Sequence, residues 1–171
     1  RALNDPASIA VIEPRAQRLR SIDQWEAMVK LAEAQPRVVA VSPVVSGPAF
    51  ALRGCASKSV ALMGVDADRY RRIVKMDGYM TRGTFHVDGT NAIIGIELAK
   101  DLGVTVGDKV FVRAAGGRDE LLQITGLFDI GNKDLNRRWV FTTMKLAQSL
   151  LDLPGGVSNI DITVADIFDA S

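Results

Sequence analysis

Apolar residues recur along this chain in short blocks, each with a readable period. Ser8-Ile9-Ala10-Val11-Ile12 is a β-branched block that reads as a strand. Ile22, Trp25, Met28, Val29 and Ala32 then fall on one stripe at helical spacing. Ser21 and Gln24 are placed as a capping box, and Glu26 and Lys30 form an i,i+4 pair on another face. Pro36 ends that helix, and Val38-Val39-Ala40-Val41-Ser42-Pro43 reads as a second strand. The same order returns near the other end. Arg138-Trp139-Val140-Phe141-Thr142 is a strand, and Thr143 caps a helix with Met144, Ala147, Leu150 and Leu151 on one face. Leu153-Pro154-Gly155-Gly156 stops it. In the closing strand, Val157 to Val164, Ile160, Ile162 and Val164 alternate with Asp161 and Thr163. Two βαβ units thus frame the chain. With right-handed crossovers they would give a four-stranded, ferredoxin-like sheet with two helices on one face.

Between them the pattern is dominated by strands. Phe50 to Arg53 and Ser59 to Val65 read as a pair, and Asp66 is placed to cap a short helix carrying Tyr70, Ile73 and Val74 inward. Its Arg69, Arg71 and Arg72 read as a solvated face. Ala92 to Gly95 is a strand turning at Gly95 into a two-turn helix that ends at Gly103. Val110-Phe111-Val112 and Leu121 to Phe128 read as an outgoing and a return strand, with a bend at Gly126. The expected fold is therefore α+β. A ferredoxin-like βαβ-βαβ lobe of residues 1–48 and 138–171 carries a β-rich inserted lobe of residues 49–137, tipped by Ala114 to Asp119.

Composition narrows the function. With 21 basic and 20 acidic side chains, the net charge is +1, which lacks the basic excess of a phosphate-neutralising nucleic-acid binder. At 47% hydrophobic the chain can bury a core without disulfides or metals. Cys55, the single cysteine, reads as a small buried hydrophobe. The longest uncharged run, Val38 to Leu52, is interrupted by Pro43, Gly47 and Pro48, so it does not read as a membrane span. The opening Arg1-Ala2-Leu3-Asn4 reads as a cut inside a longer protein whose membrane spans lie outside this segment.

Catalytic patterns are missing. His86 is the only histidine and reads as a surface residue; there is no nucleophile elbow, no phosphate-cradling loop and no dinucleotide fingerprint. Asp161 fits the polar side of a strand, and Asp166 and Asp169 fit a helix start rather than a metal site. The six phenylalanines are scattered and read mostly as core.

Several segments in fixed order resemble one family. They are Val41-Ser42-Pro43; Gly64-Val65-Asp66 followed by Tyr70; Gly83; and Ile93-Ile94-Gly95-Ile96-Glu97-Leu98-Ala99-Lys100-Asp101-Leu102-Gly103-Val104-Thr105-Val106-Gly107-Asp108. The series continues with Ile124 to Gly131, Ala147 to Leu151 and Ile162 to Asp166. Together, from about Ile9 to Ala170, they resemble the extracytoplasmic core domain of ABC-transporter permeases of the MacB/LolC/LolE/FtsX superfamily.

That resemblance implies a periplasmic domain of an inner-membrane protein, built of two lobes, a ferredoxin-like Porter and a β-rich Sabre. It implies a second permease subunit, a cytosolic ABC ATPase that alone binds ATP and Mg, and a periplasmic carrier or adaptor protein. The domain itself would be non-catalytic and hold no cofactor. It would couple ATP hydrolysis by mechanotransmission to export or release of a hydrophobic cargo such as lipoproteins. LolC-like members carry a long hairpin, the Hook, that recruits a lipoprotein carrier; the matching place here, Arg113 to Leu121, is too short for one. Partner or cargo contacts are expected on the β-rich lobe, at Phe50, Leu52 and Arg53 and at Arg113, Arg118 and Asp119, because loops on a rigid scaffold tend to carry binding residues. The rival readings are a stand-alone β-barrel ligand-binding module and a small enzyme with an unrecognised site.

Overall fold

The computed structural model describes residues 9–12, 24–153 and 155–165. In chain order its elements are β1 (Ile9–Ile12), α1 (Trp25–Glu33), β2 (Val38–Arg53), β3 (Ala56–Val65), α2 (Ala67–Ile73), a 3-10 turn (Met76–Tyr79) and β4 (Met80–Gly83). Then follow β5 (Asn91–Gly95), α3 (Ile96–Leu102), β6 (Lys109–Ala114), β7 (Asp119–Phe128), α4 (Lys133–Arg138), β8 (Trp139–Thr143), α5 (Met144–Leu150) and β9 (Asn159–Val164).

The organising element is β2, 16 residues of unbroken strand. The sequence suggested breaks at Pro43, Gly47 and Pro48, and the pairing explains why none occurs. Along one edge β2 pairs first with β9, over Val38 to Val44, and then with β6, over Ala49 to Leu52. Along the other edge β3 pairs from Val44 to Arg53. Pro43 therefore lies before β3 pairing starts, and Pro48 lies in the gap between β9 and β6. Each proline sits where only one edge is paired, so its missing N–H leaves no ladder bond unmade.

A side chain fills that gap. Ser158 is buried; its hydroxyl donates to Ser46 O (3.1 Å) and accepts from Ser46 N–H (3.1 Å), while its own N–H donates to Val44 O (2.9 Å). One hydroxyl thus satisfies both main-chain groups of Ser46 where β2 passes from one partner strand to the next. Ser158→Ala should leave both unmatched and lower stability by about 1–3 kcal/mol in urea unfolding. A loss below about 0.5 kcal/mol would mean that water replaces the hydroxyl there.

The strands close on themselves. β2 pairs β3, β3 pairs β8, β8 pairs β5, β5 pairs β7, β7 pairs β6, and β6 returns to β2. The result is a narrow six-stranded barrel, with β1 and β9 continuing from β2 on one side and β4 pairing the end of β7. Small residues inside, among them Ala49, Ala51, Ala92 and Ala114, let so few strands close around a filled interior with Leu62, Leu122 and Ile124. α3 and α5 contribute Leu98, Ala147 and Leu150 to the same cluster.

Alternation sends the other face of these strands into a second core. Val65, Ile93, Phe128 and Phe141 meet Tyr70 of α2, Met76 of the 3-10 turn and Phe85. Aromatic residues that looked scattered in sequence thus converge, with Phe141 5.3 Å from both Tyr70 and Phe85. Burial, with the Asp161 carboxylate adding to it, pushes the Tyr70 hydroxyl well above its ordinary pKa and keeps it protonated.

Both framing βαβ units exist. β1 and β2 are parallel, each antiparallel to β9 between them; β8 and β9 also run the same way. The strand order β1-β9-β2-β3-β8 nevertheless differs from a ferredoxin-like sheet in two ways: β9 rather than β8 lies between β1 and β2, and β3 stands between β2 and β8. The β2–β3 hairpin keeps β3 on the edge that β8 would otherwise take. The expected boundary at 48/49 falls inside β2, and β8, from the closing βαβ unit, is a stave of the barrel.

Local signals worked better. Asp66 caps α2 through the Asp68 and Arg69 amides, Thr143 caps α5 through Leu146 N–H (3.1 Å), and Gly103 ends α3 at φ 69°. Gln24 precedes α1 in a left-handed conformation without a side-chain cap; Ser21 and Ile22, like Asp166, Phe168 and Asp169, lie outside the described residues. Cys55 is corrected from buried to exposed, since it follows Gly54 in the β2–β3 turn and its side chain has no core to face.

Candidate interaction face

On β2, Ala49 and Ala51 point into the barrel, so Phe50 and Leu52 point out. On β6, Val110, Val112 and Ala114 point in, so Phe111 and Arg113 point out. On β7, Leu122 and Ile124 point in, so Asp119 and Leu121 point out. Registry then aligns these outward residues in two rows. Leu52 lies opposite Phe111, which lies opposite Leu121; Phe50 lies opposite Arg113, which lies opposite Asp119.

The first row and Phe50 make an apolar patch. Phe50 and Phe111 are each 46% exposed and Leu121 is 42% exposed, values far from those of the core phenylalanines, which are fully buried. Exposed aromatic side chains clustered on one sheet face are the composition of interface centres rather than of ordinary surface. Beside the patch, Arg113 Nη2 and Asp119 Oδ2 pair at 2.9 Å, and Arg53 Nη1 donates to Lys109 O at 3.0 Å. These bonds hold the charged side chains along the rim and leave the rings uncovered by described residues.

Four of the six contact residues expected from sequence, Phe50, Leu52, Arg113 and Asp119, therefore share one face; Arg53, in phase with Ala49 and Ala51, lies at the end of the barrel, where it reaches Lys109 O. Arg118 does not join them. It sits in the β6–β7 turn and reaches the end of α5, donating to Ser149 O (2.8 Å) and pairing with Asp152 (3.8 Å). A cation at a helix C-terminus is favoured by the negative end of the helix dipole, and it adds a second donor to Ser149 O, which also accepts from Asp152 N–H (3.3 Å). Sequence reasoning missed Phe111, taken as core, and Leu121. Their parity was the available signal: Phe111 shares the phase of Lys109 and Arg113, not that of Val110 and Val112.

Other candidates resolve into structural roles. His86 is exposed in the loop that buries Phe85. Asp129 accepts from Gly131 N–H and Asn136 Nδ2 (2.8 Å), and these donors hold its carboxyl below the usual carboxylate range. Asn136, buried in α4, donates that bond and accepts from Ile130 N–H (2.9 Å). Among the described residues no three His, Cys, Asp or Glu side chains converge as a metal set, and no helix is long and apolar enough to cross a membrane.

Comparison with known proteins gives one consistent outcome. The family described as the MacB-like periplasmic core domain matches residues 2–170. The lipoprotein-releasing system transmembrane protein LolC of Neisseria meningitidis serogroup B is 27% identical over 154 residues, covering 83% of this chain and 37% of that protein. LolC of Xylella fastidiosa is 24% identical over 157 residues, again covering 37% of its length. The chain thus spans well under half of these relatives. Among solved structures, the extracellular domain of the noncanonic ABC-type transporter YknZ from Gram-positive bacteria superposes with a TM-score of 0.66 at 15% identity, covering 93% of this chain and 84% of that one. The periplasmic region of MacB from Actinobacillus actinomycetemcomitans gives 0.64 at 11% identity, covering 93% and 75%. At these identities the structural likeness speaks for the fold alone.

Proposed function

The chain belongs to the family of MacB-like periplasmic core domains, and from that premise we propose that it is the periplasmic part of an inner-membrane ABC permease subunit that helps drive release or export of a hydrophobic cargo such as lipoproteins. The observation that carries this reading is the family match over residues 2–170, nearly the whole chain. The LolC relatives favour the lipoprotein branch.

In this reading the domain is a non-catalytic mechanical coupler. ATP and Mg bind a cytosolic ABC ATPase, and a second permease subunit carries the opposing periplasmic domain. Membrane spans beyond this segment hold the two domains at high effective concentration, so that each needs only a modest contact surface. We keep the Porter-like lobe at 1–48 and 138–171 and the Sabre-like lobe at 49–137 as the working division. The movement is then carried by the α1, α5 and β1-β9 side, which leads to both ends of the chain. The face holding Phe50, Leu52, Phe111 and Leu121 meets the cargo, carrier or adaptor, with Arg53, Arg113 and Asp119 at its rim. The β6–β7 turn, residues 115–118, is too short for a Hook, so contact is made by this flat face.

The test uses the full-length permease with its ATPase in membranes. Phe50→Ser combined with Phe111→Ser should cut lipoprotein release at least about tenfold, the scale of losing a central apolar anchor. ATP hydrolysis should stay within about twofold, since hydrolysis lies across the membrane. Unimpaired release by a correctly folded double variant would overturn the assignment of this face. A gene whose flanking sequence encoded no apolar spans of about 20 residues would return the stand-alone β-barrel module to first place.

A further inference from the structure

The stagger that closes so few strands into a barrel leaves two strand edges unpaired. β2 pairs β3 down to Ala56, but β8 joins β3 only from Ala61 onward. β6 pairs β7 from Asp119, but β5 joins β7 only from Gln123. Ser57 to Ser59 and Asp119 to Leu121 are therefore the two outer edges of one four-stranded sheet, in the order β3-β2-β6-β7. Registry sets them in the same rows. Ser57 lines up with Leu52, Phe111 and Leu121, and Ser59 with Phe50, Arg113 and Asp119.

Hydrogen-bond phase shows which main-chain groups these edges expose. Ala114 N–H donates to Arg118 O (2.9 Å) and Ile124 N–H to Asp108 O (2.8 Å), so the even-numbered residues of β7 bond to β6. The odd-numbered ones face away, as Gln123 N–H does in donating to Thr90 O (3.1 Å). Asp119 and Leu121 thus point N–H and C=O outward. On β2, Val44 O accepts from Ser158 N–H (2.9 Å) on the side of β9 and β6, so its odd-numbered residues face β3. The even-numbered residues of β3 answer them, and Ser57 and Ser59 point outward. No hydrogen bond among the described residues meets these outward groups. Such an edge is a template for another strand.

Charge decides which strand fits. Lys58 lies between Ser57 and Ser59, and Glu120 lies between Asp119 and Leu121; both are half-buried. Neither has an ion-pair partner among the described residues. Pairing either edge with itself, in the antiparallel register that uses both outward residues, would set Lys58 against Lys58 or Glu120 against Glu120, which is unfavourable. Pairing β3 of one copy with β7 of another sets Lys58 opposite Glu120, Ser57 opposite Leu121 and Ser59 opposite Asp119. Strand direction agrees, because β3 and β7 run oppositely within the sheet. We propose that a second copy of this domain extends the sheet head to tail, its β3 edge on the β7 edge of the first, with about four main-chain hydrogen bonds and the Lys58–Glu120 contact. The contact uses different surfaces on the two copies and leaves a free edge at each end, so it links neighbouring transporters rather than closing a pair. It buries well under the about 800 Å² per partner of a stable complex, so it is weak in solution and gains from anchoring in one membrane. It does not depend on which cargo the transporter moves.

Sedimentation equilibrium of the 1–171 chain tests this, with the exposed Cys55 replaced by serine so that no disulfide contributes. Self-association with a dissociation constant between about 100 µM and about 1 mM is expected. Lys58→Glu and Glu120→Lys should each weaken it at least about tenfold, by setting like charges opposite each other. The chain carrying both reversals, and an equimolar mixture of the two single variants, should associate within about threefold of the parent, since every contact is again between opposite charges. Lys145→Glu, on an exposed residue of α5, changes the net charge as Lys58→Glu does and should leave association unchanged. Circular dichroism confirms that each variant is folded. No association by about 2 mM, single reversals that associate like the parent, or a double reversal as weak as the singles would overturn the proposal. So would association abolished by Phe50→Ser but by neither reversal, which would place the contact on the outward face of the sheet.

Discussion

Gly95→Ala is expected to cost this domain about 4 kcal/mol or more, a large share of the total stability of a domain this size. Gly95 ends β5 and starts α3, and its φ of −74° is comfortable for any residue, so the backbone conformation is not the reason. Space is. A Cβ there would stand 2.0 Å from Asn136 O and 2.5 Å from Asn136 C and Cα. These are main-chain atoms, and the residue that carries them cannot step aside. Asn136 is buried, its amide donates to Asn132 O (2.9 Å), and its side chain bridges Asp129 and Ile130. Relief of the clash would require moving α4 off β5 and breaking that buried network, which adds the cost of unpaired polar groups to the cost of overpacking. Gly103→Ala is the contrast. Gly103 has φ 69°, yet nothing lies within 4 Å of an added Cβ, so only the left-handed backbone penalty of about 1 kcal/mol applies. Urea unfolding of the two variants separates the cases, and a Gly95→Ala loss no larger than that of Gly103→Ala would show that α4 yields freely.

That glycine also shows what could be read from sequence. Gly95 was legible as a strand-to-helix turn because the signal is local: apolar Ala92 to Ile94 before it and a helical stripe after it. Asp66, Thr143 and Gly103 were legible for the same reason, since a cap and its helix are neighbours in the chain. The helix that makes Gly95 indispensable was not. α4 reads Lys-Asp-Leu-Asn-Arg-Arg, with no apolar stripe, and it forms because Asn132 caps it and Asn136 ties it to Asp129. The insertion of β3 between β2 and β8 was equally hidden. It follows from a 16-residue strand with different partners along its length, and pairing choices made across 80 or so residues leave no periodicity to detect. For the interaction face, Phe50 and Arg113 were picked from loop-and-tip reasoning, and only the barrel registry shows that Phe111 and Leu121 complete the patch.

Phe141→Ala is expected to be the most damaging single truncation of the second core, at about 3–5 kcal/mol. The ring is fully buried, with Tyr70 and Phe85 at 5.3 Å, Trp139 at 5.5 Å and Phe128 at 5.6 Å between ring centroids. Its contacts with Phe85, Phe128 and Trp139 are edge-on, the arrangement in which ring quadrupoles attract, so the loss exceeds that of buried area alone. Truncation also empties the centre of the cluster rather than its edge, where neighbours could close in. Phe50→Ala removes a similar ring from the barrel's outer face and should cost no more than about 0.5 kcal/mol, because that ring is 46% exposed. The pair distinguishes core from contact residue within one amino-acid type. A consequence beyond stability follows from position: Tyr70 belongs to α2, and the ring cluster holds that helix against the barrel. Phe141→Leu, which keeps most of the volume, should therefore leave a folded domain with weakened near-ultraviolet circular dichroism and looser docking of α2. If Phe141→Ala destabilised no more than Phe50→Ala, the aromatic cluster would not be what holds α2 against the barrel.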